Sequence, residues 1–456
     1  MNIKKVKNLI LITTAVICFS VISCNKLLDE KSDKSLIVPE SVADYQAALD
    51  NTTTMNNKSA SWDEGAADNF YLPTATFNSQ STLSQNAYLW IPFVYNGPYN
   101  DWANLYNVVY ISNLALEGIA KIQQTDVNEN NWNNVKGSAL FFRAQSILQT
   151  VFIFCKAYDS TTAGSDYGIA LRLSSDFNQK SVRSSLKNAY KQIISDLTTA
   201  IPLLPVTPLT VYRPSKPAAY ALLARVYLSM RDYPDAGKYA DSCLQLKNDL
   251  MDYNSLSLNT LTPFKQLNKE VIFQRIVSLY SLAFISPTTA RVDTLLYASY
   301  DNNDLRKQAF FYPLTPGYIF KGTYNGNISS LFTGIATDEV YLMRAECYAR
   351  ENQTEKAMND LNTLLKTRWK TGMFVPLAAS NSQQALQLIL KERRKELIFR
   401  CLRWMDIKRL NKEGANISLK RIVNGQTSIL SPNDNRFALP LPQDIINLSG
   451  MPQNKY

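Results

Sequence analysis

Two stretches of this 456-residue chain, residues 216–246 and 337–367, carry the same helical pattern at a fixed spacing. The aligned pairs are Tyr227 with Tyr348, Ala236 with Ala357 and Leu244 with Leu365, an offset of 121 each time (348 − 227 = 121). Apolar residues at helical spacing flank a short polar turn in each stretch, with alanine where the two helices would cross. Because neither helix of such a pair buries its apolar face alone, the pattern predicts stacked hairpins of the tetratricopeptide type.

Further stretches with helical spacing extend this scaffold. Residues 135–158 and 182–204 could form a third, looser hairpin over about 135–204. Residues 382–410 are predicted to form one long helix. Ser41 is suited to cap a helix that runs to Leu49, because a serine side chain can accept a hydrogen bond from the first turn.

Two regions lack helical periodicity and are rich in aromatic rings, residues 51–100 and 250–335. Their Asn, Thr, Ser, Gly and Pro content favours loops and short strands. The predicted fold class is therefore mostly α, a tetratricopeptide-like helical-repeat scaffold with two inserted loop and short-strand regions. This domain is expected to span residues 41–456.

The N-terminus has the features of a secretory signal. Lysines at its start, an apolar run over residues 9–19 and the small Ser23 predict a lipoprotein signal peptide over 1–23. Cys24 is the expected lipidation site, and residues 24–40 the lipidated N-terminus and tether. An ordinary signal peptide with an incidental cysteine is the alternative. A membrane-spanning anchor is disfavoured, because a bilayer crossing needs about 20 apolar residues.

Composition excludes several classes of function. The chain has no histidine, which removes the Ser-His-Asp and Cys-His arrangements and His-ligated zinc or haem. The formal net charge of +10 falls to +7 when Lys4, Lys5 and Lys7 leave with the signal (10 − 3 = 7). Basic residues are scattered rather than clustered, so nucleic-acid binding is not expected. No cofactor or metal site is predicted.

Two structural questions stay open at this point. Cys155, Cys243, Cys347 and Cys401 are far apart in apolar helical stretches, which favours buried free thiols, although one long-range disulfide is possible. The asparagine-rich turn over residues 301–306 could bind Ca²⁺ through its oxygens, but it lacks the spacing of an EF-hand.

Several motifs follow one another in a fixed order. Residues 338–349 read DEVYLMRAECYA, 392–397 ERRKEL, 403–409 RWMDIKR, 439–445 LPLPQDI and 451–454 MPQN. Upstream, WANLY at 102–106 with Asn113, KPAAYALLARVY at 216–227 and LLD at 27–29 fit the same order. Together they resemble the SusD/RagB family of nutrient-binding outer-membrane lipoproteins of Bacteroidota. The chain departs from it in having Arg400-Cys401 where the family often has Glu-Gly, and in being short for the group.

The resemblance implies a capture protein without catalytic activity, anchored by lipid and exposed at the cell outer membrane. Such a protein binds oligosaccharide or peptide and delivers it to a SusC-like TonB-dependent β-barrel transporter. The alternative is a helical-repeat scaffold that organises surface complexes without binding a small ligand. A carboxylate-based glycan hydrolase is disfavoured, because the acids of the ring-rich regions form no persuasive pair.

Aromatic rings on rigid loops offer flat faces for stacking on sugar rings or peptide side chains, and neighbouring polar groups hydrogen-bond the edges. The candidate ligand-binding residues are Trp62, Tyr71, Tyr88, Trp90, Tyr95 and Tyr99, facing Tyr297, Tyr300, Tyr318 and Tyr324. For each ring the alternative is packing of a loop onto the helices. Core packing is expected for Trp102 and Trp404, and structural ion pairs for Glu392, Arg393, Glu396, Arg403 and Asp406.

Overall fold

The structure, a computed structural model, describes residues 39–94, 100–278 and 283–455. The predicted signal peptide, Cys24 and most of the predicted tether lie outside these residues. Within the described ranges, no helix combines the length and the apolar character needed to cross a membrane. The chain from Ser41 onward forms one compact unit.

Helices supply most of the regular structure. The N-terminal set is α1 Val42–Leu49, α2 Thr52–Met55, α3 Trp62–Ala66, α4 Thr74–Asn78, α5 Thr82–Tyr88, α6 Asp101–Ile119, α7 Glu129–Phe154 and α8 Leu186–Leu203. The remaining helices are α9 Lys216–Met230, α10 Tyr233–Leu246, α11 Thr294–Ala298, α12 Arg306–Phe310, α13 Thr337–Arg350, α14 Thr354–Lys366, α15 Ser382–Glu396, α16 Arg403–Asn411 and α17 Gln443–Ser449. The predicted cap of α1 is present, since Ser41 Oγ accepts from Asp44 N (3.2 Å) and Asp44 Oδ2 accepts from Ser41 N (2.9 Å).

Short strands pair in twos, always antiparallel, in the part of the chain that the structure describes. In chain order they are β1 Phe70–Tyr71, β2 Tyr167–Ala170, β3 Arg183–Ser185, β4 Val271–Phe273, β5 Ile276–Ser278, β6 Arg291–Val292, β7 Phe311–Pro313, β8 Tyr318–Phe320, β9 Ser330–Phe332, β10 Ile335–Ala336, β11 Leu419–Val423 and β12 Gln426–Leu430. The pairs are β1–β6, β2–β3, β4–β10, β5–β9, β7–β8 and β11–β12.

The two stretches that repeat in the sequence form two helical hairpins, α9–α10 and α13–α14. Each hairpin turns through one residue in the left-handed region, Arg231 (φ 66°) and Asn352 (φ 61°). These residues have the same offset as the helices (352 − 231 = 121). The hairpins stack closely, since a Cβ built on Gly237 of α10 would lie 3.0 Å from Cys347 Cβ of α13. The predicted tetratricopeptide-like fold class is therefore confirmed.

Helices α6 to α10 and α13 pack one on the next to form a helical core. Polar contacts also fix this order: Arg143 of α7 makes a buried bidentate pair with Asp196 of α8 (2.8 and 2.7 Å). Tyr190 Oη of α8 lies 3.0 Å from Ser229 Oγ of α9. Cys155, Cys243, Cys347 and Cys401 are buried free thiols, so none forms the disulfide that the sequence left open.

The single helix predicted over residues 382–410 is wrong, because α15 ends at Glu396 and α16 begins at Arg403. Phe399 (φ 56°) and Cys401 (φ 57°) take the left-handed conformation between them. Tertiary contacts hold this break: Cys401 N donates to Glu64 Oε2 (3.0 Å), and the Arg400 guanidinium lies 4.6 Å from the Tyr324 ring centroid. Left-handed backbone favours glycine, which is the residue the resembling family often has at position 401.

The region over residues 51–100 also differs from prediction. Its described part contains the short helices α2 to α5 and strand β1, where loops and short strands were expected. Side-chain caps begin two of these helices: Asn51 Oδ1 accepts from Thr54 N (3.4 Å) before α2, and Ser81 Oγ accepts from Ser84 N (3.2 Å) before α5. A helix of four to seven residues makes two turns at most, so apolar periodicity has too few repeats to reveal it.

The motif residues predicted to form structural ion pairs do so, and most of these pairs are buried. Asp406 of α16 accepts from Arg393 of α15 (2.9 Å) and from Arg409 (2.8 Å), which also pairs with Glu346 of α13 (2.6 Å). These contacts join α13 to the two neighbouring helices α15 and α16. Glu392 and Glu396 pair with Arg306, and Arg403 with Asp68.

Candidate functional site

Half of the ten rings predicted to bind ligand are buried, and this corrects their predicted role. Trp62, Tyr88, Trp90, Tyr300 and Tyr324 expose at most 8% of their surface. Tyr95 and Tyr99 lie outside the described residues. Tyr71, Tyr297 and Tyr318 are half-buried. Trp102 and Trp404 are buried, as predicted.

The buried rings of the first ring-rich region form part of an aromatic core beneath β1 and α3 to α5. Trp62 stacks on Phe93 with ring centroids 5.1 Å apart, and Trp90 Nε1 donates to Ala66 O (3.0 Å). The guanidinium of Arg421 lies 3.7 Å from the Tyr88 ring centroid and 4.9 Å from that of Trp90. Both the faces and the polar edges of these rings are thus used within the fold.

The buried tyrosines of the second region serve internal hydrogen bonds. Tyr300 Oη donates to Lys395 O (2.7 Å). Tyr324 Oη lies 2.8 Å from both Glu270 Oε2 and Tyr253 Oη. Burial, followed by the nearby carboxylates of Asp338 and Glu270, raises the pKa of Tyr324 well above its ordinary value. Neither ring can reach a ligand in solution.

Three of the predicted rings come together at the surface, and we call Tyr71, Tyr297 and Tyr318 the tyrosine ledge. Tyr297 of α11 and Tyr318 of β8 stack with centroids 3.7 Å apart. Tyr71 of β1 reaches the turn before β8, where its hydroxyl donates to Pro316 O (3.3 Å). Lys307 Nζ lies 5.3 Å from the Tyr297 ring centroid. Burial and the neighbouring Tyr318 raise the pKa of Tyr297 to about 12, so the Tyr297 hydroxyl stays protonated at neutral pH.

A larger concavity, the α6 groove, lies elsewhere on the molecule. It has a volume of about 790 Å³, within the range of roughly 300–1,000 Å³ found for small-ligand sites. Helix α6, the loop over residues 171–182 and the segment around α17 form its walls. Its lining includes Trp102, Tyr106, Asn107, Tyr110, Asn113, Arg172, Phe177, Asn178, Gln179, Lys180, Leu448 and Met451.

One exposed ring marks this groove. Phe177 exposes 77% of its surface and stacks on Tyr110 of α6 with centroids 5.0 Å apart and planes inclined by 28°. A ligand that covered this exposed ring with an apolar surface would gain free energy from the area removed from water. Asn107, Asn178 and Gln179 lie beside it with exposed amides.

The loop that carries Phe177 is held in place by hydrogen bonds at several points. Asn113 of α6 donates from Nδ2 to Arg172 O (3.2 Å) and Ser174 O (3.1 Å). The guanidinium of Arg172 donates to the carbonyl oxygens of Asp176 and Gln179. Asn113 Oδ1 in turn accepts from Arg143 Nη1 (2.9 Å). A motif residue of the sequence, Asn113, thereby links the helical core to the groove.

The chemistry of the α6 groove suits a flat, polar-edged ligand. Phe177 and Tyr110 provide apolar faces, and the amides provide both donors and acceptors. Arg172 and Lys180 line the groove, whereas no carboxylate does among the residues that the structure describes. The predicted ring clusters missed Phe177 because it is a lone ring in a polar loop; its position among Asp, Asn and Gln was the available signal.

The acids of the first ring-rich region have structural roles. Asp101 Oδ2 accepts from Ser61 N (2.6 Å) and Trp62 N (2.9 Å), which fixes the start of α3. Burial raises the pKa of Asp101 to about 6 and that of Glu64 to about 7. Asp304 in the asparagine-rich turn is bonded to Arg306 rather than open to a cation (2.7 Å). Among the described residues, no group of three or more His, Cys, Asp or Glu could hold a metal ion.

Two family models match this chain. One, described as "Starch-binding associating with outer membrane" and named SusD-like, matches residues 26–228, and the other, the SusD family, matches residues 287–455. The chain belongs to the SusD family. The family resemblance inferred from the sequence motifs is thus confirmed.

Relatives within the SusD family match over nearly the full length. SusD-like protein P2 of Formosa agariphila is 24% identical over 97% of this chain and 98% of its own. A SusD superfamily protein of Bacteroides thetaiotaomicron has the same fold, with a TM-score of 0.74, 20% identity and coverage of 91% and 100% of the two chains. A SusD-like carbohydrate-binding protein of Bacteroides vulgatus gives a TM-score of 0.67, with 18% identity and coverage of 90% and 97%.

Proposed function

We propose that this SusD-family protein captures an oligosaccharide at the cell surface and delivers it to a SusC-like TonB-dependent transporter of the outer membrane. Family membership supports this proposal, and so does the carbohydrate binding named for the similar protein of Bacteroides vulgatus. Cys24 would anchor the protein through lipid to the outer face of the outer membrane.

The observation that carries the proposal is the α6 groove with its exposed Phe177. A pyranose ring lying on Phe177 would bury its apolar face, while Asn107, Asn178 and Gln179 would hydrogen-bond the hydroxyl edge. Because Asn113 and Arg172 already order the loop, little conformational entropy is lost on binding. One stacked ring with a few amides gives modest affinity, which allows release to a transporter.

The tyrosine ledge is the second candidate surface, and it retains three residues of the set predicted from the sequence. Tyr71, Tyr297 and Tyr318 present rings at the surface, although Tyr297 and Tyr318 already occupy one face of each other. The ledge is a less favourable first contact than the α6 groove, because its rings are half-buried and Phe177 is exposed.

A binding role without catalysis belongs to the same proposal. Hydrolysis of a glycosidic bond needs two carboxyl groups about 5–10 Å apart beside the ligand. Within the described ranges of the chain, the lining of the α6 groove contains no Asp or Glu. The charge of Arg172 and Lys180 further favours glycans that carry carboxylate or sulfate groups over neutral ones.

The experiment is isothermal titration of the mature chain, residues 24–456, with neutral oligosaccharides, uronic-acid-containing oligosaccharides and short peptides. Binding of an oligosaccharide supports the proposal. Binding of peptides but not of oligosaccharides would contradict the proposed ligand class and indicate a peptide ligand. Heat with neither class would favour the alternative of a scaffold without a small ligand. Co-purification of a TonB-dependent barrel with the protein from native membranes tests the transporter.

A further inference from the structure

A small cavity lined mainly by buried residues lies where the helical core meets the aromatic core. Its polar lining comes from α3, α7, α9, the segments beside β5 and β9, and the break between α15 and α16. The residues are Asp63, Gln145, Gln149, Arg225, Arg275, Thr333, Arg400 and Cys401. Its volume of about 20 Å³ is enough for one water-sized occupant and too small for a phosphate or sulfate ion.

Several polar atoms of this lining have no hydrogen-bond partner among the described residues. They are Asp63 Oδ2, Gln145 Oε1, Arg275 Nε and Nη2, and Thr333 Oγ1. All four side chains are at least nine-tenths buried, since none exposes more than 6% of its surface. A buried polar group that has lost its hydrogen bonds to water and gained none within the protein is energetically unfavourable. Four such residues around one cavity indicate an occupant that bonds to them.

The charges around the cavity show the sign of that occupant. Arg225 is paired with Glu339 through two bonds (2.8 and 2.7 Å), and Arg400 with Asp338 (3.2 Å). Arg275 makes no ion pair within the described part of the chain, although it is 1% exposed. An unpaired buried guanidinium is costly unless an anion compensates it.

The ionisation of the nearest groups agrees with this sign. Burial, with the nearby Arg225, lowers the pKa of Arg275 to about 10, so its guanidinium stays charged at neutral pH. Burial, with the carboxylates of Asp101 and Glu64, raises the pKa of Asp63 well above its usual value. This shift favours the protonated carboxyl of Asp63, and the unpartnered atoms Asp63 Oδ2, Arg275 Nε and Arg275 Nη2 are not bonded to one another.

We propose that this cavity binds one small monovalent anion, chloride, held by the Arg275 guanidinium and the Thr333 hydroxyl. Gln145 can turn its amide nitrogen toward the ion, since the two ends of an amide are interchangeable in shape. The ion would neutralise Arg275 and join α7 to the segments beside β5 and β9. It is independent of the glycan site, because the residues of this cavity do not line the α6 groove.

The test combines crystallography with thermal unfolding of the mature chain. Crystals soaked in bromide are expected to show an anomalous peak in the cavity beside Arg275. Raising chloride from zero to about 200 mM at constant ionic strength, with gluconate as the replacement, should raise Tm by about 1–3 °C. A cavity that holds only water, with no bromide peak and no chloride-specific rise in Tm, overturns the proposal.

Two cavity variants and one control variant test whether the chloride-dependent rise in Tm comes from this cavity. Thr333→Val keeps the shape of the side chain and should reduce the chloride-dependent rise in Tm, and Arg275→Gln should abolish it. Arg213→Gln, which removes a half-buried guanidinium paired with Asp50, should leave the chloride effect unchanged. Since Thr333→Val removes an unpartnered hydroxyl without opening a void, its folding is not in question. An unaltered chloride response in both cavity variants contradicts the assignment.

Discussion

Arg306 has no exposed surface, yet its guanidinium donates to three carboxylates: Asp304 (2.7 Å), Glu392 (2.6 Å) and Glu396 (2.9 Å). The opposite charges hold the pKa values of Asp304 and Glu392 below their ordinary range despite burial. Such a cluster fixes the turn before α12 against α15. Its effect on stability depends on every member remaining, because a buried charge without its partner is strongly unfavourable.

Arg306→Met is therefore expected to lower the free energy of unfolding by about 3–5 kcal/mol, measured by urea denaturation. The substitution keeps an apolar chain of similar length but leaves three buried carboxylates with only Lys395 and Arg368 as cationic partners. Arg213→Met is the matched control, since its pair with Asp50 is partly exposed, and should cost no more than about 1 kcal/mol. Equal losses in the two variants would show that burial of the cluster has no special effect.

Asp101 provides a pH dependence of the opposite sign to that of the paired acids. Burial raises its pKa to about 6 in the folded state, against roughly 4 in the unfolded chain. Between these values the folded state binds more protons, so this contribution is complete below pH 4 and is lost as pH rises through 6. The absence of histidine from the chain removes the usual competing titration in this range.

Asp101→Asn is expected to reduce the fall in unfolding free energy between pH 4 and pH 7 by about 2 kcal/mol. The amide oxygen of asparagine can still accept from Ser61 N and Trp62 N, so the start of α3 is retained. Urea unfolding of both proteins across this range measures the difference. The same slope in both would contradict the raised pKa of Asp101.

At the scale of elements, the contact between the two hairpins depends on Gly237. A Cβ at this position would already lie 3.0 Å from Cys347 Cβ, so a larger side chain must push α10 away from α13. We expect Gly237→Leu to lower the unfolding free energy by about 1–3 kcal/mol. Gly164→Leu, where a Cβ meets nothing within 4 Å, should change it little. A neutral Gly237→Leu would mean that the hairpins do not pack as described.

The hairpins could be predicted because their signals are local. Apolar spacing, the alanines at the crossings and the capping residues all lie within one repeat, and the offset of 121 extends to the left-handed residues Arg231 and Asn352. The α15–α16 break could not be predicted in this way. The contacts at this break are made with residues distant in sequence: Cys401 N donates to Glu64, and the Arg400 guanidinium lies over the Tyr324 ring.

The candidate site shows a second limit of sequence reasoning. Clusters of aromatic residues were expected to bind ligand. However, residue type alone does not distinguish a ring that packs in the core from a ring that binds a ligand. Trp62 and Tyr88 became core because Phe93 and Arg421 cover them, which the sequence does not reveal. Phe177 was missed for the converse reason, since its value as a site comes from Tyr110 and Asn113 on α6.

At the scale of the whole molecule, attachment to the membrane is predicted to depend on Cys24 alone. Cys24→Ala should release the protein into the soluble fraction, because the apolar run before it is too short for a stable membrane span. Cys18→Ala is the control and should remain with the membrane, since Cys18 lies within the predicted signal peptide. Fractionation followed by immunoblotting measures both. Retention of Cys24→Ala in membranes would contradict lipid anchoring.

The helical core provides rigidity, and the loop over residues 171–182 at its surface provides the proposed ligand site. Stacked hairpins and buried ion pairs give a rigid helical core, and Asn113 and Arg143 transmit that rigidity to the loop over residues 171–182. A ligand site on such a loop needs no rearrangement before it binds. The α6 groove, whose wall this loop forms, is therefore the surface at which the proposed ligand binding should be measured.

The most direct measurement is the affinity of an oligosaccharide ligand for the mature chain and for Phe177→Ala, by isothermal titration. Loss of the stacking face is expected to weaken binding about tenfold, equivalent to about 1.4 kcal/mol. Tyr312→Ala, which removes an exposed ring from β7, and Tyr318→Ala in the tyrosine ledge should leave the affinity unchanged. Unchanged affinity in Phe177→Ala, with weakened binding in Tyr318→Ala, would place the site at the ledge and contradict the account.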